Sequence, residues 1–503
     1  MPCAYNSDCQ SGLRCVLSVC RDECRADIDC PEGRQCVAVS GDGVRACLQR
    51  QDAGSDVPVD NETHTDDARS DGAIDSPDDA QLTDGAPDVA DAAGTHDAVD
   101  VRDASSDACP LPALPVRCGT ACVDTTRDRA NCGACGTACP APRTCAAGMC
   151  VAIVATGIEA AARHTCAVLN DGTVRCWGMN NRGQLGDGTR TPRWMPLAVM
   201  GVTDAVAVYA GTEHSCARLR DDSVRCWGRN DAGQLGDGTT VDALAPVTVP
   251  MLPNVQRVSL GHSHSCAWTV GMAVYGWGSN SQGVLGFDPV ALPVVNPARL
   301  LAGLPTGDIV DIACAAPLTC VIVGDRSVRC VGTNYLGAVL GRTPVVIGGL
   351  SEIARIALGE FHGCGISATN AVRCWGGNSF GQLGRGATSA GEMVPVDVVG
   401  LTATRVAVAP THTCAVHTDG SARCWGRNSV GQLGVPVSAM SVSPVAVVGL
   451  PSGVAEIVVG DSHTCALLGT GAVFCWGRNA DGELGIDMAL VSALTATPTR
   501  VTF

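Results

Sequence analysis

Short apolar segments alternate with turn residues from residue 164 to the C-terminus. The clearest copy reads HTCAVLNDGTVRCWGMNNRGQLGDGT and begins at His164. Residues 166–169 and 173–176 read as two short strands, and the Asn-Asp-Gly between them has the composition of a three-residue hairpin loop ending in a left-handed glycine. The pattern therefore predicts an antiparallel hairpin in which Leu169 faces Thr173.

The register of this hairpin places Cys166 opposite Cys176. Opposed residues at a non-hydrogen-bonded pair lie about 4.5 Å apart at Cα, which is within the reach of a disulfide. The same spacing occurs in five further copies, so we predict a disulfide across each of six hairpins. The other pairs are Cys216 with Cys226, Cys320 with Cys330, Cys364 with Cys374, Cys414 with Cys424, and Cys465 with Cys475.

The hairpin pattern occurs seven times. Its anchor cysteines are residues 166, 216, 266, 320, 364, 414 and 465. The steps of 44 to 54 residues match the length of a propeller blade. An apolar segment such as 255–260 precedes each hairpin, and a proline-containing segment such as 246–249 precedes that, which gives four strands per repeat. We therefore predict an all-β fold, with a seven-bladed β-propeller at residues 151–503.

Each repeat also carries a tight glycine-rich turn. It reads Gly-Gln-Leu-Gly at residues 183–186, 233–236, 381–384 and 431–434. With the histidine, cysteine and tryptophan positions, the composite pattern resembles the regulator of chromosome condensation repeat family over about 340 residues. The resemblance implies a seven-bladed propeller. The third blade departs from the pattern at Gly276, which replaces a hairpin cysteine. The fourth departs at Leu318, which replaces the histidine, at Val331, which replaces the tryptophan, and at Ala338-Val339 before its final Leu-Gly. We expect these two blades to be the least regular.

Two propeller cysteines remain after the six hairpin pairs are formed. Cys266 has lost its hairpin partner to Gly276, and Cys314 is an additional cysteine in the next repeat. The loss of one cysteine and the gain of another in adjacent repeats predict a disulfide between the third and fourth blades. The alternative is two separate buried thiols.

The end of the chain resembles the proline-led strand that precedes every other apolar segment. We expect Pro498–Phe503 to add a strand to the first blade and so to close the ring, although residues 151–154 compete for that place. Closure removes the exposed strand edges that a propeller must protect.

Two cysteine-rich regions precede the propeller. Residues 1–50 hold eight cysteines in two similar units that resemble small epidermal-growth-factor-like modules. Residues 109–150 hold eight more and resemble the plant stigma-specific cysteine-rich family. Cys132 and Cys135 have the spacing of half a zinc site, but no matching second pair follows, which favours disulfides.

Charge is concentrated in one segment. The chain has a net charge of -16, and residues 51–108, with sixteen Asp, one Glu and two Arg, contribute -15 of it. This composition predicts a disordered acidic linker. Weak calcium binding by its carboxylates is the alternative, although no loop there has the fixed ligand spacing of a calcium site. No basic stripe is present, which argues against nucleic acid as a partner.

Thirty cysteines, in even blocks of eight, eight and fourteen, indicate an oxidising compartment. We expect a secreted or outer-surface protein, and because the sequence as given begins without a signal peptide, we expect the reading frame to extend upstream. No apolar run of about 18 residues predicts a membrane-spanning helix.

Catalytic and metal-binding motifs are not evident. Histidines 164, 214, 264, 362, 412 and 463 occur once per repeat, and a seven-fold ring would hold them too far apart to share a metal ion. We expect each of them to be structural and hydrogen-bonded within its own blade. The tryptophans at repeat positions are expected in the core between blades. With no nucleophile elbow or phosphate loop, we expect no enzyme, no cofactor and no metal.

Variation between copies marks candidate binding residues. Large side chains at the centres of the Asn-x-x-Gly turns should be exposed. Together with two residues of the first long connection, they are of the types that dominate protein interfaces. The candidates are Arg182, Arg193, Trp194, Tyr335, Leu336 and Phe380. Trp194 has an alternative role as a cover for a blade edge.

These features predict an extracellular or cell-surface scaffold whose propeller loops bind a protein. The alternative, implied by the family's eukaryotic founder, is a cytoplasmic guanine-nucleotide exchange factor for a small GTPase. A propeller enzyme of unknown reaction is the third possibility.

Overall fold

The computed structural model describes residues 14–16, 19–21, 34–38, 45–49, 115–140, 143–301, 304, 308–335, 339–491 and 493–503. The chain divides into two compact units, Met1–Asp100 and Val101–Phe503. The predicted linker at 51–108 lies outside the described residues.

In the first unit, the described residues form two hairpins. They pair β1 (Arg14–Val16) with β2 (Val19–Arg21), and β3 (Arg34–Ala38) with β4 (Arg45–Gln49). Cysteines oppose each other in both hairpins, Cys15 with Cys20 and Cys36 with Cys47. These strands do not confirm the resemblance to epidermal-growth-factor-like modules.

A small cysteine-rich module begins the second unit. Its strands are β5 (Pro115–Cys118), β6 (Ala121–Asp124), β7 (Arg143–Ala146) and β8 (Met149–Ala152). Disulfides join Cys118 to Cys135, Cys132 to Cys145, and Cys139 to Cys150, and Cys122 is also disulfide-bonded. Cys132 and Cys135 thus belong to two different disulfides, as the disulfide interpretation predicted.

The remaining strands form antiparallel sheets, and no helix occurs among the described residues. The first sheet contains β9 (Ala155–Ala161), β10 (His164–Leu169), β11 (Val174–Gly178) and β12 (Arg193–Ala198). The second contains β13 (Ala205–Ala210), β14 (His214–Leu219), β15 (Val224–Gly228) and β16 (Ala243–Thr248). The third contains β17 (Val255–Leu260), β18 (His264–Thr269), β19 (Val274–Ser279) and β20 (Val294–Leu300). The fourth contains β21 (Ile309–Ala315), β22 (Leu318–Val323), β23 (Val328–Thr333) and β24 (Val339–Val346).

The fifth sheet is longer than the others. It contains β25 (Ile353–Leu358), β26 (His362–Ser367), β27 (Ala371–Asn378), β28 (Ser389–Val408), β29 (His412–His417), β30 (Ala422–Arg427) and β31 (Met440–Ala446). The last contains β32 (Val454–Val459), β33 (His463–Leu468), β34 (Val473–Arg478) and β35 (Leu494–Arg500). The 20-residue β28 pairs with β27 along one part and with β29 along another, so two repeats share one sheet. The sheets of the described propeller residues therefore number six, and they do not confirm the predicted count of seven blades.

The first strands of the repeats surround a common axis. Among the described strands, β9, β13, β17, β21, β25, β28 and β32 contact one another in that order, and β32 contacts β9. In β28 the part that pairs with β29, residues 403–408, is the first strand of its repeat. The ring is thus closed by packing of the last repeat on the first. One apolar cluster contains Ile158 and Trp177 of the first repeat together with Val458 and Leu484 of the last.

The predicted role of the C-terminal segment is wrong. β35 pairs with β34 of its own repeat, and the first sheet is complete from residues 155–198. The proline-led strand is therefore the outer strand of the preceding repeat, not the first strand of the next. Residues 151–154 do not add a strand to the first sheet either, because Met149–Ala152 forms β8 and pairs with β7.

The predicted hairpins are confirmed. Cys166 pairs with Cys176 in the register, the Leu169 amide donates to the Thr173 carbonyl over 2.9 Å, and the two cysteine Cα atoms are 4.1 Å apart. All six hairpin disulfides are present, as is the Cys266–Cys314 disulfide, with 6.5 Å between its Cα atoms. No described cysteine is free.

Candidate functional site

The propeller has two faces, distinguished by which connections they carry. In an antiparallel sheet the connection from first to second strand and the one from third to fourth strand emerge at the same edge. We call this edge of all the sheets the turn face, because it carries the Asn-x-x-Gly turns. The opposite edge, with the hairpin loops such as residues 170–172, is called the tip face.

Each turn is held by its asparagine. In the first repeat, Asn180 Oδ1 accepts the Leu185 amide over 3.0 Å, and its Nδ2 donates to Asp187 Oδ1 over 3.0 Å. Gly183 has a positive φ of 81°, and a Cβ there would lie 2.5 Å from Leu244 Cδ2 of the next repeat. The same asparagine-to-amide bond recurs at Asn230, Asn280, Asn378, Asn428 and Asn479. The turn is thus a fixed frame that displays variable side chains.

The candidates in the first repeat lie at the turn face and are tied down by acidic partners. Arg182 is half-buried, with 3.5 Å between its guanidinium and Asp242 of the next repeat. Arg193 forms an ion pair with Asp187 at 2.7 Å. Trp194 is half-buried, and its Cα lies 2.8 Å from where a Cβ on Gly482 of the last repeat would stand. It therefore packs at the edge between the last and first repeats.

The candidates in the fourth and fifth repeats also pack against the frame. Tyr335 is half-buried, with its ring centroid 6.4 Å from that of Trp375, and burial raises the pKa of its phenol. Phe380 is half-buried below the Arg427 guanidinium, which lies 5.3 Å from the ring centroid. Leu336 lies outside the described residues. These side chains belong to separate parts of the ring and form no single pocket, so their binding role stays a prediction.

Three strongly exposed large apolar side chains of the turn face lie in the long connections between third and fourth strands. Val290 is 90% exposed, Leu490 78% and Val241 72%. They belong to different repeats, and the frame beneath them is shared. Sequence reasoning missed them because it considered the Asn-x-x-Gly turns and only the first of the long connections that follow them.

The repeat histidines are structural, but the prediction that each is hydrogen-bonded within its own blade is wrong, because each contacts a hydroxyl of the neighbouring repeat. His164 Nε2 lies 2.8 Å from Ser215 Oγ, and this hydroxyl donates to the Gln184 carbonyl over 2.9 Å. Because the hydroxyl has one proton, it must accept from Nε2–H. The indole of Trp227 donates to the same carbonyl over 2.9 Å. Burial lowers the pKa of His164 to about 4 and that of His214 to about 3, so these imidazoles are neutral.

Two clusters have ligand atoms close enough together for a metal ion. They are Cys132, Cys139 and Cys150, and His264, Cys266 and Cys314. In both, the cysteines form disulfides, whereas a metal ligand must be a free thiolate. The described structure therefore uses these cysteines as crosslinks.

A further site, which sequence reasoning missed, lies along the axis. The first strands surround a cavity of about 780 Å³. Five residues nine positions before their anchor cysteines are charged: Arg257, Asp311, Arg355, Arg405 and Glu456. The two remaining equivalents are Gly157 and Ala207. We call the five charged residues, which occupy equivalent positions in the strands around the cavity, the channel ring. It breaks the repeat, as functional residues do.

Charges in the channel ring are unevenly paired. Arg257 forms an ion pair with Asp311 at 2.9 Å, and Asp311 also accepts the amides of Ile312 and Ile356. Glu456 accepts the Ile158 amide over 3.3 Å. Arg355 and Arg405 lie on neighbouring strands, and burial, followed by repulsion from Arg405, lowers the pKa of Arg355.

Glu159 lies two residues further along β9 than the channel ring. Burial, followed by repulsion from Glu456, raises its pKa to about 8, and Arg257 opposes the shift. Its carboxyl is therefore mostly protonated at neutral pH. The signal in the sequence was a single charged residue inside each of several apolar strands, but only folding shows that these residues meet.

Comparison with known families identifies the repeat. The Regulator of chromosome condensation (RCC1) repeat matches residues 171–218, 221–268, 273–322 and 371–416, and a second description of the same repeat matches 156–184, 205–234, 353–382, 406–432 and 454–483. The chain belongs to the RCC1 repeat family.

Solved propellers have the same fold. Yeast RCC1 (Prp20) bound to Kap60 is 20% identical, with a TM-score of 0.59 over 65% of this chain and 83% of that one. Human WBSCR16 is 22% identical, with a TM-score of 0.59 over 66% and 95%. Prp20p from Saccharomyces cerevisiae is 20% identical, with a TM-score of 0.59 over 70% and 88%. No curated protein matches the chain. None of the described residues form a helix with the length and hydropathy needed to cross a membrane.

Proposed function

We propose that the protein is an exported binding module that contacts a protein partner through the turn face, without catalysis. The observation that carries the proposal is the combination of a rigid repeated frame with exposed apolar side chains that differ between repeats. Val241, Val290 and Leu490 are apolar and project from connections anchored by buried asparagines. Exposed apolar side chains on a rigid frame bind at low entropic cost.

Export is supported by the buried disulfides. The hairpin cysteines have no exposed surface, and crosslinks at this density are typical of proteins outside the reducing cytosol. Cell fractionation of the native organism, with an antibody against the propeller, tests this part of the proposal. Recovery in the envelope or culture fluid supports export, and recovery in the cytosol contradicts it.

The binding experiment compares two faces of the same molecule. Purified full-length protein is crosslinked in envelope and culture-fluid fractions, and captured proteins are identified by mass spectrometry. The variant Val290→Glu with Leu490→Glu introduces two charges on the turn face. Its matched control, Met200→Glu with Val448→Glu, changes residues that are 53% and 62% exposed in the connections of the tip face.

We expect a partner captured by the wild type and the control to be lost from the turn-face variant. Each buried apolar contact contributes about 1–3 kcal/mol to an interface, so two substitutions reduce affinity at least about tenfold. Equal capture by all three proteins contradicts the turn-face proposal, and loss in the control alone moves the interface to the tip face.

A second candidate function comes from the family. The Prp20p structure is described together with its binding to Gsp1p and histones, so a guanine-nucleotide exchange role on a small GTPase is the alternative. Release of a fluorescent guanine nucleotide from small GTPases of the native organism tests it. Acceleration by the protein at catalytic amounts favours this alternative over the exported binding module.

A further inference from the structure

We propose that the central channel is a binding site for a small molecule that carries a carboxylate or phosphate group, held between Arg355 and Arg405. The geometry points to these two arginines because they stand at equivalent positions on adjacent first strands, β25 and β28, and both line the cavity. This site is separate from the turn-face connections and does not rest on the proposed protein partner.

The pairing of charges leaves these two arginines available. Arg257 has Asp311 as its ion-pair partner, at 2.9 Å. Among the described residues, no carboxylate lies within ion-pair distance of Arg355 or Arg405, and Arg405 donates only to the Thr404 carbonyl, over 3.0 Å. Two like charges on neighbouring strands repel each other. An oxyanion between them would relieve that repulsion and accept hydrogen bonds from both guanidinium groups.

The two mouths of the channel differ in charge. The turn-face mouth is lined by Glu360 and Asp461, where burial and then Glu360 raise the pKa of Asp461. The tip-face mouth is lined by Thr156, Val206 and Gln256, which carry no charge. The channel ring lies nearer the tip-face mouth, because its members stand near the starts of the first strands. An anion therefore has an uncharged route to the arginines.

The size of the cavity fits this class of ligand. Its volume of about 780 Å³ lies within the range of about 300–1,000 Å³ that is usual for small-molecule sites. The protonated Glu159 carboxyl, on the other side of the axis, offers a hydrogen-bond donor and adds little negative charge at neutral pH. The walls are otherwise formed by small apolar residues such as Ala313 and Ala407.

The experiment is isothermal titration of the full-length protein with inorganic phosphate, succinate and glucose at constant ionic strength. We expect phosphate or succinate to bind, and glucose not to bind. The double variant Arg355→Gln with Arg405→Gln should weaken that binding at least about tenfold, since hydrogen bonds between charged groups contribute about 1.5–3 kcal/mol each. The matched control, Arg220→Gln with Arg500→Gln, removes two exposed arginines outside the channel and should bind as the wild type does.

The two titrations also distinguish the possible ligand groups. Tighter binding of inorganic phosphate indicates a phosphate ligand, and tighter binding of succinate indicates a carboxylate ligand. The proposal is overturned if neither anion produces heat at concentrations up to about 10 mM. It is also overturned if the channel variant binds as the wild type does, or if the control variant loses the same affinity.

The pH dependence gives a readout that a purely structural role would not produce. The charged groups facing Glu159 are Glu456 and Arg257, and Arg405 faces Glu456. As pH rises from about 7 to about 9, Glu159 ionises and adds negative charge to the channel. Anion affinity should therefore fall over this range in the wild type, and fall less in Glu159→Gln. The same decline in both proteins would exclude Glu159 from the site and contradict this arm of the proposal.

Discussion

The imidazole of His463 in the last repeat donates a hydrogen bond to the Thr165 hydroxyl of the first, with 2.9 Å between Nε2 and Oγ1. Thr165 in turn donates to the Glu483 carbonyl over 3.0 Å, and Trp177 donates to the same carbonyl over 2.9 Å. The two ends of the propeller thus meet through the same contacts that join repeats one and two, two and three, five and six, and six and seven. No strand from one end completes the sheet of the other.

Thr165→Val should therefore destabilise the closed ring. The substitution leaves the buried His463 Nε2–H without a partner, which costs about 1–3 kcal/mol, and removes one of the two donors to the Glu483 carbonyl. Thr502→Val is the control, because Thr502 is exposed at the C-terminus. Urea unfolding measures both. A loss for Thr165→Val no greater than that for the control would mean that this contact does not hold the ring closed.

The disulfide between repeats three and four should contribute more than a disulfide within a hairpin. It closes 48 residues of chain, against 10 for each hairpin, and loop-closure entropy assigns about 4 kcal/mol to the former and about 3 kcal/mol to the latter. This junction also lacks the tryptophan hydrogen bond, since Val331 replaces the indole.

Two double variants test this difference in stability. The first, Cys266→Ala with Cys314→Ala, removes the disulfide between repeats, and the second, Cys166→Ala with Cys176→Ala, removes a hairpin disulfide. All four cysteines are buried, so the cavity cost is similar in the two variants. Calorimetry should show the larger fall in melting temperature for the first variant. A larger fall for the hairpin variant would contradict this weighting of the two kinds of crosslink.

Stability should fall as the solution becomes more acidic than about pH 6.5. Burial lowers the pKa of His362, His412 and His463 to about 3, so the unfolded chain takes up protons that the folded one does not. Stability from each histidine is present above its unfolded pKa and is lost as pH falls toward the folded value, at up to about 1.4 kcal/mol per pH unit.

The carboxyls with raised pKa have the opposite linkage. Glu159, Glu456, Asp461 and Glu483 bind protons more tightly in the folded state, so they favour folding at lower pH. Six buried histidines outnumber them, and the net slope is expected to follow the histidines. Urea unfolding at about pH 7 and about pH 5 measures this slope.

Single-site variants identify the source of the slope. His412→Gln should reduce it by about one proton, whereas Thr502→Val, which removes an exposed side chain that does not titrate, should leave it unchanged. An equal slope in the wild type and His412→Gln would contradict the assignment.

Local chemistry allowed the hairpins to be predicted from sequence. The Asn-Asp-Gly loop sets the register, the register opposes Cys166 and Cys176, and the same reasoning identified the unpaired Cys266 and Cys314. Each of these features depends on a few neighbouring residues or on one missing partner. The RCC1 fold followed from their repetition.

Features set by long-range pairing were harder to predict. The proline-led strand was assigned to the wrong repeat, because its residues do not show which neighbour they pair with, and β35 instead pairs with β34. The channel ring was missed because Arg355 or Glu456 alone looks like an interruption of an apolar strand. These charges lie close together only when the closed ring places the first strands around one cavity.

The most direct test of the account is non-reducing peptide mapping of the protein isolated from its native source. A disulfide-crosslinked propeller that is exported, as we propose, predicts linked peptides for all six hairpin pairs and for Cys266 with Cys314. Free propeller cysteines that take up an alkylating reagent after denaturation without reductant would contradict both the crosslinked fold and its oxidising location.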